Sequence, residues 1–328
     1  MSRVWKWSFF VVCLVVTTGA VHGQELLPLA GTEVAPYFEV PPAEECCECY
    51  EKCPLLGFIQ ATDTRWSGFI SPMTNPVFFE DPRTLSEVRF IFIQHNLPAL
   101  AGGAIPGSDL QVLAMQARVA LSDDLSFIAT KDGFIWASPN APLDDGWADV
   151  AVGLKYNLWK DVECLQILSI GGTFELPVGS PQALQGNGSG EFNLFASYGS
   201  LLWDCCSHFL TTAGFRLPAD RQTENQVFYW SAHVDRQIAG TCLYGFVEGN
   251  WFHWMSNGAN AGLNGIQGGD FFNFGSTGVA GSDIVTGAFG LKYKPSLLQE
   301  VGIAWELPVT NTRGVLDNRL TLDYILRY

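Results

Sequence analysis

The segment Asn318–Tyr328 reads NRLTLDYILRY, and its residues alternate between two chemical classes. One row is apolar and the other mostly charged: Leu320, Leu322, Tyr324, Leu326 and Tyr328 against Arg319, Thr321, Asp323, Ile325 and Arg327. Because side chains of a β-strand point alternately to opposite faces, this strand has one apolar face and one polar face. An edge or core strand of a soluble all-β domain can show this pattern. An outer-membrane β-barrel also shows it in its closing strand, with the apolar row toward lipid.

The amino-terminal residues resemble an export signal. Arg3 and Lys6 precede an apolar run at residues 9–16, and small residues follow at 17–20. This order is typical of a secretory signal peptide, here predicted at residues 1–23. The apolar run is shorter than the roughly 20 residues that a membrane-spanning helix needs, so we expect cleavage rather than an anchor.

The composition excludes several classes of protein. No apolar run after residue 23 is long enough for a membrane-spanning helix, although the chain is 48% hydrophobic and only 16% charged. Apolar residues scattered at alternate positions are usual for a membrane β-barrel. The net charge of −15 excludes a general basic surface for nucleic acid.

Segments of about ten alternating residues recur from residue 85 onward. They predict twelve strands near residues 85–95, 109–121, 125–131, 147–158, 163–176, 190–202, 207–217, 225–237, 242–254, 281–294, 299–308 and 318–328. Residues 125–138 could also form one longer strand. Connections between these strands alternate between long and short, as they do between the outer loops and periplasmic turns of a barrel.

The strands and connections together predict an all-β fold. Residues 85–328 are expected to form a membrane-spanning, antiparallel up-and-down β-barrel of about twelve strands in the cell outer membrane. Residues 24–84 are expected to form a periplasmic segment rich in Pro, Glu and Cys. Within it, we expect Phe78 and Phe79 to pack at or inside one mouth of the barrel.

Eight cysteines follow the signal peptide. Their positions are Cys46, Cys47, Cys49, Cys53, Cys164, Cys205, Cys206 and Cys242. The first four could bind a metal, but no second Cys or His pair with zinc-site spacing lies nearby. The other four fall at or beside predicted periplasmic turns. We therefore predict no metal site and disulfides that attach the amino-terminal segment to the periplasmic rim.

Several strand ends resemble a known family. The stretch Gly146–Tyr156 (GWADVAVGLKY) is similar to the G-x-x-D-V-x-x-G-x-K-Y strand of outer-membrane barrels named for the MetA pathway of phenol degradation. Residues 172–179 (GTFELPVG) and 304–309 (AWELPV) resemble that family's E-L-P-T-G strand end, with Val178 in place of Thr. The resemblance covers residues 85–328 and implies a transporter-like barrel that passes hydrophobic or aromatic compounds.

A mixed-charge row is predicted to face the lumen. The candidates for lining a pore are Asp149, Lys155, Glu175, Arg216, His233, Asp235, Glu248, Lys292, Arg319, Asp323 and Arg327. Opposite charges on facing walls suit a water-filled pore with charged constrictions. They equally suit a polar network that only satisfies buried groups.

An enzyme is the third possibility, since Ser231, His233 and Asp235 share one face of a predicted strand. Their spacing of about 7 Å is too long for a proton relay within one strand. No nucleophile-elbow, phosphate-loop or metalloprotease motif is present, and we predict neither catalytic residues nor a cofactor.

The sequence therefore favours passive uptake of small solutes, hydrophobic or aromatic ones among them. The alternative is a structural or adhesive surface barrel plugged by the segment around Phe78. Expected partners are outer-membrane lipid, a small-molecule solute and, through the carboxy-terminal strand, the barrel-assembly machinery.

Overall fold

We describe the protein from a computed structural model, in which residues 55–328 are described except 104, 203–205, 239 and 313. The predicted signal peptide, the predicted tail at 24–45 and Cys46, Cys47, Cys49, Cys53 and Cys205 lie outside the described residues.

The described residues form a single antiparallel sheet of fourteen strands. The strands are β1 (Glu87–Leu97), β2 (Ser108–Ala120), β3 (Leu125–Lys131), β4 (Phe134–Ala137), β5 (Gly146–Trp147), β6 (Val150–Asp161), β7 (Gln166–Leu176), β8 (Glu191–Leu201), β9 (Ser207–Pro218), β10 (Val227–Gln237), β11 (Leu243–Trp254), β12 (Asp283–Ser296), β13 (Gln299–Pro308) and β14 (Asn318–Arg327). Four short 3-10 helices lie outside the strands, at Thr64–Trp66, Ala101–Gly103, Pro181–Ala183 and Ala261–Leu263.

The sheet closes on itself because β1 pairs with β2 on one side and with β14 on the other. Val88 is opposite Leu326 of β14 and Ala117 of β2, so the first and last strands meet in register. Since β4 and β5 only extend the pairing of β2, twelve of the fourteen strands form the wall. The predicted all-β barrel of about twelve strands is confirmed.

Residues 132–146, predicted to be a loop, contain additional strand structure. The lower half of β2 pairs with β3, whereas its upper half pairs with β4, and β4 then pairs with β5. The chain leaves the wall at Asp132 and Gly133 and re-forms a strand beside β2 after two residues. Alternation alone could not show this, because β3 and β4 are both short and share one partner strand.

The two faces of the wall have opposite chemistry. Exposed apolar and aromatic side chains occupy the outward row of every long strand, and examples are Phe90, Leu113, Leu154, Phe192, Phe215, Trp230, Val247, Phe289, Ile303 and Leu322. The inward row is buried and largely polar, and in β14 it contains Arg319, Thr321, Asp323 and Arg327. An apolar exterior around a closed sheet satisfies the requirements of a barrel in lipid.

The interior of the barrel is filled by the chain that precedes β1. This lumen segment, defined here as residues 66–86, is buried along nearly all of its length. Its aromatic and aliphatic side chains join three apolar clusters with inward residues: Phe78 with Tyr229 and Phe195, Phe79 with Leu210, and Met73 with Phe246. The expectation that Phe78 and Phe79 pack inside the barrel agrees with this structure.

The position of the Tyr229 ring requires a glycine in the neighbouring strand. Its ring lies across Gly214, and its hydroxyl donates a 2.8 Å hydrogen bond to Asn193 Oδ1 on β8. A β-carbon at position 214 would lie 2.4 Å from the Tyr229 hydroxyl oxygen and 2.6 Å from a backbone oxygen. Any larger residue at this position would therefore displace the ring.

We predict that Gly214→Ala lowers the free energy of unfolding by about 1–3 kcal/mol, the usual cost of overpacking a core. The measurement is the temperature at which the folded band is lost on unboiled SDS gels. Gly245→Ala is the matched control, because a β-carbon at position 245 would meet nothing within 4 Å. Equal melting temperatures for the two variants would contradict the packing described here.

Candidate functional site

The lumen segment is attached to the wall by a buried carboxylate between two cations. Glu80 accepts hydrogen bonds from Arg118 of β2, at 2.6 Å to Nη2, and from Lys155 of β6, at 2.8 Å to Nζ. All three side chains are at most 2% exposed. Removing one partner from such a buried group leaves an uncompensated charge, which is strongly destabilising.

Wall carboxylates also bind backbone amides of the lumen segment. Glu248 of β11 accepts hydrogen bonds from the amides of Met73 and Thr74, both at 2.7 Å. Glu300 of β13 accepts one from the amide of Ser71 at 3.1 Å. Because buried amides require partners, these side chains take the role that a neighbouring strand has in a sheet.

Wall lysines satisfy the backbone carbonyls of the same segment. Lys292 of β12 donates to the carbonyl of Ser71 at 2.7 Å, and Lys155 donates to that of Asp81 at 2.5 Å. Lys294 donates to the carbonyls of Ser67 and Phe69. The segment therefore has partners for both kinds of backbone group without belonging to the sheet.

The charges on the wall form a continuous network behind these contacts. Arg327 bonds Glu300 at 2.6 Å and Glu87 at 2.8 Å, joining β14 to β13 and β1. Asp323 lies between Arg89 at 2.9 Å and Lys292 at 3.1 Å. Of the two sequence hypotheses for the charged row, this arrangement favours a network that satisfies buried groups.

Two histidines and two carboxylates form a chain along β9, β10 and β11. His208 Nδ1 lies 2.8 Å from Asp235, His233 Nε2 lies 3.1 Å from Asp235, and His233 Nδ1 lies 2.7 Å from Glu248. Glu248 is the carboxylate that binds the lumen segment. The two histidines therefore help to position Glu248, which in turn binds the lumen segment.

This arrangement gives no support to a hydrolase at these residues. Both ring nitrogens of His233 bind carboxylates, and the hydroxyl of Ser231 accepts a 2.9 Å hydrogen bond from Asn75. Ser207, next to His208, accepts from Arg236. His233 therefore has no ring nitrogen left to activate Ser231.

At the end of the barrel with the long connections, which the alternation of loop lengths predicts to be extracellular, a loop folds into the barrel and binds the wall. Asp270, in the connection between β11 and β12, accepts two 2.7 Å hydrogen bonds from Arg319. The Arg319 guanidinium also lies 4.2 Å from the centre of the Phe271 ring. Through these two contacts the loop covers the lumen at the end opposite to the one where the lumen segment enters.

A second group of charges lies where the extracellular loops meet. Arg216 donates to Glu191 at 2.6 Å, and Lys131 donates to Glu175 at 2.7 Å. Burial raises the pKa of Glu224 to about 8, and Glu191 adds to the rise while Arg216 opposes it. A neutral Glu224 fits its position against the loop at Gly188 without repelling Glu191.

All of the predicted lumen residues lie inside the barrel or at its extracellular mouth. Asp149 accepts hydrogen bonds from the amides of Gly179 and Gly186 and so orders a loop rather than contacting the lumen segment. The residues that contact the lumen segment or its partners directly are Lys155, His233, Asp235, Glu248, Lys292, Asp323 and Arg327. Whether any of them lines an open pore stays a prediction.

Sequence reasoning missed Glu80, Arg118, Glu300 and Asp270. Arg118 and Glu300 lie in the inward rows of strands that were predicted, so alternation could have found them. Glu80 and Asp270 lie in irregular segments without periodicity, and no local signal marks them.

The described cysteines lie at the short-turn end of the barrel. Cys164 and Cys242 have exposed thiols in the turns after β6 and β10, and Cys206 lies beside β9. Disulfides to Cys46, Cys47, Cys49 and Cys53 stay a prediction. Among the described residues, no three His, Cys, Asp or Glu side chains are arranged to hold a metal ion.

A small apolar cavity remains in the extracellular half of the lumen. Its volume is about 40 Å³, and its lining includes Ile91, Ile93, Val112, Ile135 and Phe271. A depression of about 560 Å³ lies on the outer face, between Phe90, Leu113, Trp147 and Val178. Ala114, Asp132 and Ala148 line both spaces, so the two lie on opposite sides of the same part of the wall.

The wall between the two spaces lacks part of its regular ladder. This is where β2 changes partner from β3 to β4. The amide of Met115 bonds the Asp132 side chain at 2.7 Å instead of a strand carbonyl, and the amide of Ala148 bonds the carbonyl of Gly133. The wall is therefore held here by fewer backbone pairs than elsewhere.

Comparison with known proteins gives structural matches only. No family model and no curated protein matches the chain. An outer-membrane channel of Pseudomonas putida F1 is similar over 79% of this chain and 100% of that chain, with 12% identity and a TM-score of 0.53. This chain has the fold of an outer-membrane β-barrel. The translocator domain of the autotransporter NalP from Neisseria meningitidis matches over 76% of this chain and 91% of that chain, with 9% identity and a TM-score of 0.39.

The exterior of the barrel agrees with that fold. Its apolar outer band is the surface that an outer-membrane protein presents to lipid. Within the part of the chain that the structure describes, no helix has the length and apolar character needed to cross a membrane.

We predict that Glu80→Gln loosens the lumen segment, because Arg118 and Lys155 lose the carboxylate between them. Breaking a buried pair costs about 3–5 kcal/mol, so channel openings in planar bilayers should become more frequent. Asp124→Asn is the control, since its pair with Lys160 is partly exposed and such pairs contribute little. Unchanged opening frequency in Glu80→Gln, with a normal melting temperature, would contradict the assigned role.

Proposed function

We propose that this protein is an outer-membrane channel for passive uptake of small hydrophobic solutes and that the lumen segment keeps it closed to polar ones. The observation that carries the proposal is the apolar cavity in the lumen, which shares three lining residues with a depression on the lipid-facing surface. The space of about 40 Å³ is smaller than an aromatic solute, so a solute that enters would have to widen it, but it would not need a polar pore.

The filled lumen supports the closed state. A barrel of twelve strands has an intermediate bore, and here the chain itself occupies that bore. Polar solutes would have to displace a segment whose backbone is bound by Glu248, Glu300 and Lys292. The resemblance to the MetA-pathway barrels agrees with apolar cargo, and membership of that family is part of the proposal.

The proposal predicts that filling the cavity slows uptake of an apolar solute. In intact cells that express the protein, the initial rate of naphthalene entry should exceed that of cells without it. Ala114→Phe should remove most of the gain because the new ring occupies the cavity. Val247→Phe is the control, because that side chain points outward, is 56% exposed and lines neither the cavity nor the outer depression.

Two outcomes would count against the proposal. Equal rates for wild type and Ala114→Phe would show that the cavity is not on the route. Rapid entry of a polar sugar through the wild-type protein would show that the lumen is open to water.

A second candidate is a structural or adhesive surface barrel, which the filled lumen also favours. It predicts no difference in naphthalene entry between cells with and without the protein. It also predicts that substitutions in the extracellular connections at 177–190 and 255–282 change surface binding, whereas substitutions in the cavity do not.

A further inference from the structure

The chain forms a small apolar hairpin just before it enters the barrel. Residues 55–59, here called the rim hairpin, read Leu-Leu-Gly-Phe-Ile and carry no charge. Two backbone hydrogen bonds close it, from the amide of Leu55 to Ile59 at 2.9 Å and from the amide of Ile59 to Leu55 at 3.0 Å. The hairpin is therefore a defined structure with its own shape.

The side chains at the tip of the rim hairpin point into open space. Leu56 is 76% exposed and Phe58 is 55% exposed. Leu56 has φ 54° and Gly57 has φ 81°, so the tip uses the left-handed region that a leucine rarely occupies. A conformation that exposes two large apolar side chains in water is unfavourable and indicates a partner for this surface.

The position of the rim hairpin identifies the partner. Leu55 and Ile59 lie beside Val88, Val119 and Leu326, which belong to the outward rows of β1, β2 and β14. The hairpin therefore lies against the outside of the barrel, whereas the lumen segment that follows it lies inside.

The rim hairpin lies at one end of the apolar outer face of the wall. Val88 and Leu326 are opposite each other, and two residues farther along the same strands Phe90 is opposite Tyr324. Phe90 and Tyr324 are exposed on the outer face, about 7 Å above the hairpin at the usual rise per residue. Val88 and Leu326 continue this apolar outer surface toward the short turns, so the hairpin packs against the end of the lipid-facing band.

The backbone after the rim hairpin passes beneath the edge of the wall. The amide of Gln60 bonds the carbonyl of Ala120, the last residue of β2, at 2.9 Å. The amide of Thr62 bonds the carbonyl of Tyr328 at 2.6 Å. The chain is thus fixed to the rim at the point where it turns from the outside to the inside.

We propose that the rim hairpin inserts Leu56 and Phe58 among the acyl chains of the periplasmic leaflet of the outer membrane. In that position it anchors the chain outside the barrel and fixes the point at which the lumen segment enters. The inference concerns a lipid contact and does not depend on what the channel transports.

Photocrosslinking tests the proposal directly. The variant Phe58→p-benzoylphenylalanine is reconstituted in vesicles of phosphatidylethanolamine and phosphatidylglycerol, illuminated and digested with trypsin. The tryptic peptide of residues 53–65 should gain the mass of one phospholipid. The same substitution at Phe289, which is 60% exposed on the outer face, is the positive control, and Gln222 in an extracellular loop is the negative control.

A second substitution tests whether the tip itself is inserted. Added to the Phe58 photoprobe, Leu56→Asp should reduce the yield of the lipid adduct several-fold, since a carboxylate resists burial in acyl chains. Thr64→Asp, on an exposed position beyond the hairpin, should leave the yield unchanged. Retention of the band on unboiled gels shows that each variant is folded.

Three results would overturn the proposal. An adduct with another peptide of the same chain would mean that residues outside the described range cover the tip. A crosslinked product of twice the chain mass would mean that a second copy covers it. No lipid adduct at position 58, with normal labelling at position 289, would place the hairpin away from lipid.

Discussion

Glu80, held between Arg118 and Lys155, is the interaction on which the interior of this barrel depends. Inward charges of a barrel wall need partners, and water supplies them in a wide pore. Here the chain supplies them, because Glu80 neutralises cations from two strands and wall carboxylates bind the amides of Ser71, Met73 and Thr74. The wall and the lumen segment therefore stabilise each other, and neither is complete alone.

The sequence predicted the wall well and its contents poorly, for a physical reason. Alternation of the kind seen in β14 follows from local geometry, so all twelve wall strands were predicted with their ends within three residues. Glu80 and Asp270 take their roles from partners far along the chain, Arg118 and Arg319, and no local pattern encodes such contacts. The β4–β5 extension was missed because it competes with β3 for the same partner strand.

The interior has two regions with different chemistry. Toward the periplasm, ion pairs and backbone contacts fill the lumen around the segment that contains Ser71 and Glu80. Toward the outside, Ile93, Val112 and Phe271 leave an apolar space near a weakly paired part of the wall. The proposed preference for apolar over polar cargo rests on this division. In the proposed arrangement the rim hairpin lies at the lipid surface, beside the point where the lumen segment enters the barrel. The membrane would then help to fix the position of the lumen segment.

The most direct measurement is amide hydrogen exchange of the reconstituted protein, followed at residues 66–86 by mass spectrometry. If wall side chains bind this backbone inside the barrel, its amides will exchange as slowly as those of β11 and β13, and Glu80→Gln will accelerate them. Exchange as fast as that of the exposed loop at Arg221–Thr223 in the wild-type protein would contradict the account, since it would show a lumen segment in contact with water.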